Sequence, residues 1–203
     1  METAPNAART VALTCAAMVA FAANSVLCRQ ALGSRSIDAA TFSAVRLLSG
    51  AAILFAVVSL RRSRRSVMIG GRWTSAVVMF LYAIPFSFAF NSLDAGTGAL
   101  ILFGSVQVTM ILAALWSGER PRLLEWVGLC TAAGGLLYLY FDGLETPSLR
   151  GAGLMSLAGV CWGLYTLLGR SARQPLAETA GNFIRTAPLA LVLVMLAPGF
   201  VSM

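Results

Sequence analysis

Long apolar runs separated by short polar or arginine-rich segments set the pattern of this chain. They lie at Thr10–Arg29, Ala39–Leu60, Trp73–Leu93, Ala95–Trp116, Leu123–Phe141, Gly151–Arg170 and Thr179–Phe200. The apolar residues fill each run on all sides rather than in stripes of period 3.6 or 2, which marks helices immersed in lipid. Each run is about 20 residues long, enough for a helix to cross the hydrocarbon layer. The pattern predicts an all-α fold, a polytopic membrane helix bundle of about seven transmembrane helices. Pro85, near the middle of the third run, predicts a kink there. Asn91 falls close to the end of that run and reads as a cap or turn residue.

Charge adds the topology. All 15 basic residues are arginine, and the net charge is +7. In a soluble chain such a balance would suggest nucleic acid. Here Arg61, Arg62, Arg64, Arg65 and Arg72 directly abut apolar runs, so they read as a cytoplasmic loop obeying the positive-inside rule, with no nucleic-acid partner. With the N-terminus inside, ten arginines fall on cytoplasmic segments and three outside. That places a multi-pass protein in the inner (plasma) membrane with a cytoplasmic N-terminus. Trp73, Trp116 and Trp126 then share the cytoplasmic interface. Ala20-Phe21-Ala22 resembles a signal-peptide cleavage site, but apolar sequence continues past it to Leu27, which favours an uncleaved first helix.

Composition excludes more than it assigns. The chain is 58% hydrophobic and 11% charged, against about 25% charged in soluble domains. It has no histidine, which removes histidine-dependent hydrolases, acyltransferases and His-ligated metal sites. Cys15, Cys28, Cys130 and Cys161 lie in or beside apolar runs without CxxC spacing and read as small packing residues. No catalytic constellation is visible, so the chain is not expected to be an enzyme, and no cofactor or metal is expected.

One charge interrupts the second run. Arg46 stands inside Ala39–Leu60, where an arginine at the helix centre costs at least roughly 2.5 kcal/mol. Arg185 stands in the corresponding place in the seventh run. An offset of 141 aligns Leu13 with Leu154, Ala17 with Ala158, Leu27 with Leu168 and Arg29 with Arg170; an offset of 139 then aligns Arg46 with Arg185, Ala51 with Ala190 and Leu54 with Leu193. Five helices separate the two copies, an odd number, so the copies run in opposite directions. This is the inverted-topology repeat of secondary transporters.

These residues resemble the EamA-type proteins of the drug/metabolite transporter superfamily. The resemblance rests on FSAVRLLSGA in helix 2, AGTGAL at the entry to helix 4, SGERPRLLEWVGL between helices 4 and 5, and GVCWGLYTLLGR in helix 6. It implies two five-helix units. Residues 10–141 would form the first, and residues 151–203 would carry only two helices of the second, with about three helices absent. It implies alternating-access transport of a small metabolite or drug-like solute across the lipid bilayer. A non-transporting fragment, or a helical partner that a second copy or another membrane chain complements, is the alternative.

Transporter sites gather polar groups near the midplane between repeats. The substrate-binding candidates are therefore Asn24, Arg46, Tyr82, Gln107, Trp162, Tyr165, Asn182 and Arg185. Asn24 and Tyr165 are equivalent under the offset of 141. Each has an ordinary structural reading beside the functional one. Asn24 and Gln107 could make interhelical hydrogen bonds of about 0.6 kcal/mol. Trp162 and Tyr165 could be packing residues. Arg46 and Arg185 could snorkel to headgroups. Seven residues into helix 2 and six into helix 7, the two arginines would sit at matching depths of roughly 10 Å from opposite faces. Gly159 and Gly163 form a small-xxx-small pattern that lets membrane helices approach closely.

Overall fold

The computed structural model describes residues 7–33, 37–62, 70–119, 123–141 and 147–196. These form seven α-helices: α1 Ala7–Gly33, α2 Ala39–Arg62, α3 Trp73–Ala89, α4 Ala95–Trp116, α5 Leu123–Phe141, α6 Leu149–Gly169 and α7 Pro175–Leu196. Among the described residues α1, α2, α4, α6 and α7 are long and apolar enough to cross a membrane, and α3 is a shorter apolar helix. The chain is thus a polytopic bundle of membrane helices. The first residues of the polar start, most of the arginine-rich loop after α2, Arg120 and Arg122, most of the Asp142–Arg150 loop and the last residues of the seventh run lie outside the described residues.

α4 and α5 occupy the expected spans, and α2 runs two residues further, to Arg62; one boundary each of α1, α3, α6 and α7 moved for an identifiable reason. α1 continues past Arg29, whose guanidinium donates to the Phe90 carbonyl at 2.7 Å and so ties the charge to the end of α3. α3 stops at Ala89 rather than Leu93. The amides of Asn91 and Leu93 turn back onto the carbonyls of Phe88 and Ala89, and Asn91 is indeed a turn residue. At 17 residues this helix is only about 26 Å long. α6 begins at Leu149, capped by the Ser148 hydroxyl, which accepts from the Gly151 amide at 3.2 Å. α7 begins four residues early because Pro175 fits a first helical position, where its missing N–H costs nothing. Arg185 therefore lies ten residues into α7, not six, and the matched depths expected of Arg46 and Arg185 do not hold.

α3 is the centre of the bundle. It buries Ser75, Ala76, Met79, Tyr82, Ala83, Phe86 and Ala89 along its length, and it packs against α2, α6 and α7. α2 lies along α7, while α6 is held between α3 and α4. The α4–α6 contact uses the small-residue pattern: Gly159 faces the Leu102 carbonyl and Ser105, and Gly163 faces Thr109. α1 touches α4, and most of its apolar surface, including Val11, Leu13, Met18 and Val19, is exposed. After α4 the chain turns through Gly118 at φ +79. The Gly118 amide reaches the Leu115 carbonyl and the Glu119 amide the Ala114 carbonyl, a Schellman turn that requires glycine at the left-handed position. Glu119 then meets Arg170 at 3.4 Å.

Aspartates cap α2 and α4. Asp38 accepts from the Thr41 amide and Asp94 from the Thr97 amide, each at 2.8 Å. Burial acts to raise both carboxyls, but hydrogen bonds from Thr41 and Ala40 to Asp38, and from Thr97 and Gly96 to Asp94, outweigh it and hold both below the usual carboxylate value. A depressed folded value means that the stabilisation is present above about pH 4 and is lost as pH falls through the folded value. Asp94→Ala is expected to cost about 1 kcal/mol at neutral pH. Asp94→Asn should retain most of the cap at neutral pH and show a smaller drop in Tm between pH 5 and pH 3 than the parent. Thermal unfolding in detergent at several pH values checks both.

Candidate functional site

Five of the sequence-selected residues come together inside the bundle as a continuous column. It starts on α2 with Arg46, seven residues from the helix start, level with Tyr82, seven residues from the end of α3. Both are about 10 Å below the end of the bundle where α3 finishes. Arg46 Nη2 donates to the Tyr82 hydroxyl at 3.1 Å. Its guanidinium carbon stands 4.8 Å from the Phe86 ring centroid and 5.6 Å from that of Tyr82. Tyr82 in turn contacts Trp162 of α6, with centroids 4.8 Å apart, and Trp162 contacts Tyr165 at 5.8 Å. The Tyr165 hydroxyl accepts from Asn182 Nδ2 of α7 at 3.2 Å. Asn182 Oδ1 ends the column by accepting the Arg72 backbone amide at 2.9 Å, beside the start of α3.

The helices explain this alignment. Tyr82 and Phe86 are one turn apart and share a face of α3, as Trp162 and Tyr165 share a face of α6. Because α3 and α6 pack together, these two aromatic faces meet. Phe21 of α1 closes one side, edge-on to Trp162 at 6.3 Å. Tyr82 and Asn182 are buried, at 7% and 6% exposure, and Trp162 and Tyr165 are half-buried.

Arg46 is the unusual member. Its Nη1 is buried and has no hydrogen-bond partner, and no acid pairs with it; the ion pair found among the described residues is Arg170 with Glu119. Cation–π contact with Phe86 and Tyr82 is worth about 0.5–2 kcal/mol, less than the several kcal/mol that removing a guanidinium from water costs. Arg46 is half-buried and Nη2 has its bond to Tyr82, so the uncompensated part is Nη1, a buried unpaired donor of the kind that marks functional residues.

The remaining candidates are placed elsewhere. Arg185 spends its Nη1 on backbone: it donates to the Gly70 carbonyl at 2.7 Å and to the Gly181 carbonyl at 3.0 Å. It fastens the segment before α3 onto α7. Gln107 is exposed on α4, away from the column. Asn24 is half-buried on α1 and accepts weakly from the Cys28 thiol at 3.8 Å; Cys28 lies within electrostatic reach of Arg46. The two arginines that match in sequence thus have different partners, one aromatic and one backbone.

Sequence reasoning passed over Phe86, the ring under Arg46, and the glycines that seat the lower end of the column. Gly71 has φ +94, and α7 approaches so closely at Gly181 that a side chain there would drive into the Gly70 carbonyl. The Gly70-Gly71 pair was the available signal, since such a dipeptide marks a turn. A separate apolar groove of about 620 Å³ runs between α4 and α6, lined by Ile101, Ser105, Thr109, Leu112 and Leu164. It is open to the outside and shares no residue with the column.

A bundle of apolar spanning helices around an internal polar and aromatic column defines a polytopic integral membrane protein. The model of the EamA-like transporter family matches residues 8–141, and the chain belongs to that family of membrane transporters. It is also 51% identical over 187 residues to an uncharacterized protein of Pseudomonas aeruginosa, covering 92% of this chain and 65% of that protein. The chain therefore spans less than two thirds of the length of this curated relative. No solved structure matches the chain.

Proposed function

We propose that the chain carries a small metabolite or drug-like solute across the inner membrane by alternating access, with Arg46, Tyr82, Trp162, Tyr165 and Asn182 lining the path. The observation that carries this reading is the column itself. It links α2, α3, α6 and α7 through aromatic faces and through polar groups that lipid would reject, in the interior of a member of a transporter family. In this reading residues 10–141 form one unit and residues 151–203 begin a second, inverted one, with the N-terminus in the cytoplasm. The test is flux into liposomes across a panel of labelled metabolites. Trp162→Ala is expected to lower transport at least 10-fold per folded molecule, with some loss of Tm because its ring packs on Tyr82, Tyr165 and Phe21, so flux is normalised to the monodisperse fraction. Undiminished flux in that variant would remove the column from the path.

A second reading is supported by α1. Under the offset of 141, α1 is the equivalent of α6, yet α6 is packed between α3 and α4 while the equivalent α1 positions Thr14, Ala17 and Met18 are exposed. On this reading the chain is one part of an assembly, and another membrane segment covers α1 and completes the path. Flux by the chain alone favours the first reading. Flux only when it is co-expressed with the part of the Pseudomonas relative that this chain does not cover favours the second.

A further inference from the structure

We propose that Arg46 anchors an oxyanion, the carboxylate of a small organic anion whose flat apolar body lies against Trp162. The proposal rests on the column being a solute path and narrows what travels along it. Three observations carry it. Nη1 of Arg46 is buried with no partner, while Nη2 is already committed to Tyr82. Among the described residues no carboxylate pairs with the guanidinium, so one anionic group would find an uncompensated charge and a free donor in one place, the arrangement that makes charge-assisted hydrogen bonds short and strong. One ring further along, across Tyr82, stands Trp162, half-buried and in contact with Tyr82, Tyr165 and Phe21, an aromatic cluster that a planar apolar group could join once the groups over Arg46 part.

The same contacts specify the net charge of the solute. An ammonium group would meet no carboxylate there, and the Phe86 and Tyr82 faces that could attract it are already taken by the Arg46 cation. A net anion fits better than a zwitterion. Nη1 is shut off from solvent in this structure, so an anion reaches it only when the groups over it part. Binding is therefore coupled to a change of shape at α2 and α3.

The same chemistry could be supplied by a lipid phosphate, and the experiment separates the two. Benzoate is titrated into the purified protein in neutral detergent while tryptophan fluorescence is followed, with benzamide as the uncharged isostere. Trp162→Phe assigns the signal, because Trp73, Trp116 and Trp126 are exposed. The expected result is saturable binding of benzoate, at least 10-fold tighter than benzamide, weakened at least 10-fold in Arg46→Gln and partly kept in Arg46→Lys. In the second arm phosphatidylglycerol replaces benzoate in nanodiscs. An Arg46-dependent shift with the lipid alone would assign the anchor to a headgroup, and the claim of a carboxylate solute would fall. Equal affinity for benzoate and benzamide, or binding unchanged in Arg46→Gln, overturns the proposal outright. If Arg46→Gln fails to fold, the comparison of benzoate with benzamide in the parent and in Arg46→Lys decides. Because binding is read at equilibrium, benzoate binding without flux would sink the transport reading alone, and flux of neutral solutes without benzoate binding would sink this one alone.

Discussion

Replacing Gly181 by valine is expected to abolish accumulation of folded protein. The position has no room for even a methyl group, because a Cβ would enter the Gly70 carbonyl and press on Arg185. The obstacle is backbone, which cannot rotate away as a side-chain end can. Relief requires the Gly70–Arg72 segment to leave α7. That movement would break two bonds at once: the Gly70 carbonyl to Arg185 and the Arg72 amide to Asn182, which would leave Asn182 Oδ1 without that donor. Overpacking ordinarily costs about 1–3 kcal/mol; losing buried hydrogen bonds adds about 1–3 kcal/mol for each group left unpaired. Against a total stability of about 5–15 kcal/mol, that is a large share. Fluorescence-detected size exclusion and Tm in detergent measure it. Gly181→Ala should show the same defect in milder form, and a variant with parental yield and Tm would show that the loop does not bear on α7 as described.

The second large effect is expected at Gly159. Leucine there should separate α4 from α6. A Cβ would stand 2.6 Å from the Leu102 carbonyl and from Ser105, so even alanine requires a shift of the helix. The cost expected for leucine is about 3 kcal/mol or more, at the upper end for overpacking, seen as a fall in Tm. Gly153, on the same helix, has nothing within 4 Å of its would-be Cβ. Gly153→Leu is therefore the control and should be near neutral. If both substitutions lower Tm equally, close packing against α4 is not what the glycine at 159 provides.

These two glycines differ in how well the sequence announced them. Gly159 and Gly163 stood one turn apart in an apolar run, and their role follows from spacing, because a small-residue stripe on one face is a local property of a helix. Gly181 carried no such mark. Its partner is a carbonyl more than a hundred residues earlier, and only the docking of the α2–α3 connection on α7 gives it meaning. The candidate site divides in the same way. Arg46, Tyr82, Trp162, Tyr165 and Asn182 were selectable as polar or aromatic residues in apolar runs, and they meet. Gln107 was selected on the same ground and faces outward on α4. Arg185 was selected as the twin of Arg46 and instead clamps a loop.

The sequence by itself determined that this is a helical membrane protein and where most of its helices lie, because length and apolar character are summed over about 20 consecutive residues and need no neighbour. It also determined the family, through motifs kept in order along the chain. Tertiary structure alone decided which face of each helix looks inward. In lipid a helix can be apolar all round, so the sequence carries no stripe to point the way, and rotation is set by contacts with other helices. That rotation turned Tyr82 toward Trp162, left Arg46 with an unpaired donor in the interior, gave Arg185 two carbonyls, and sent Gln107 to the outside.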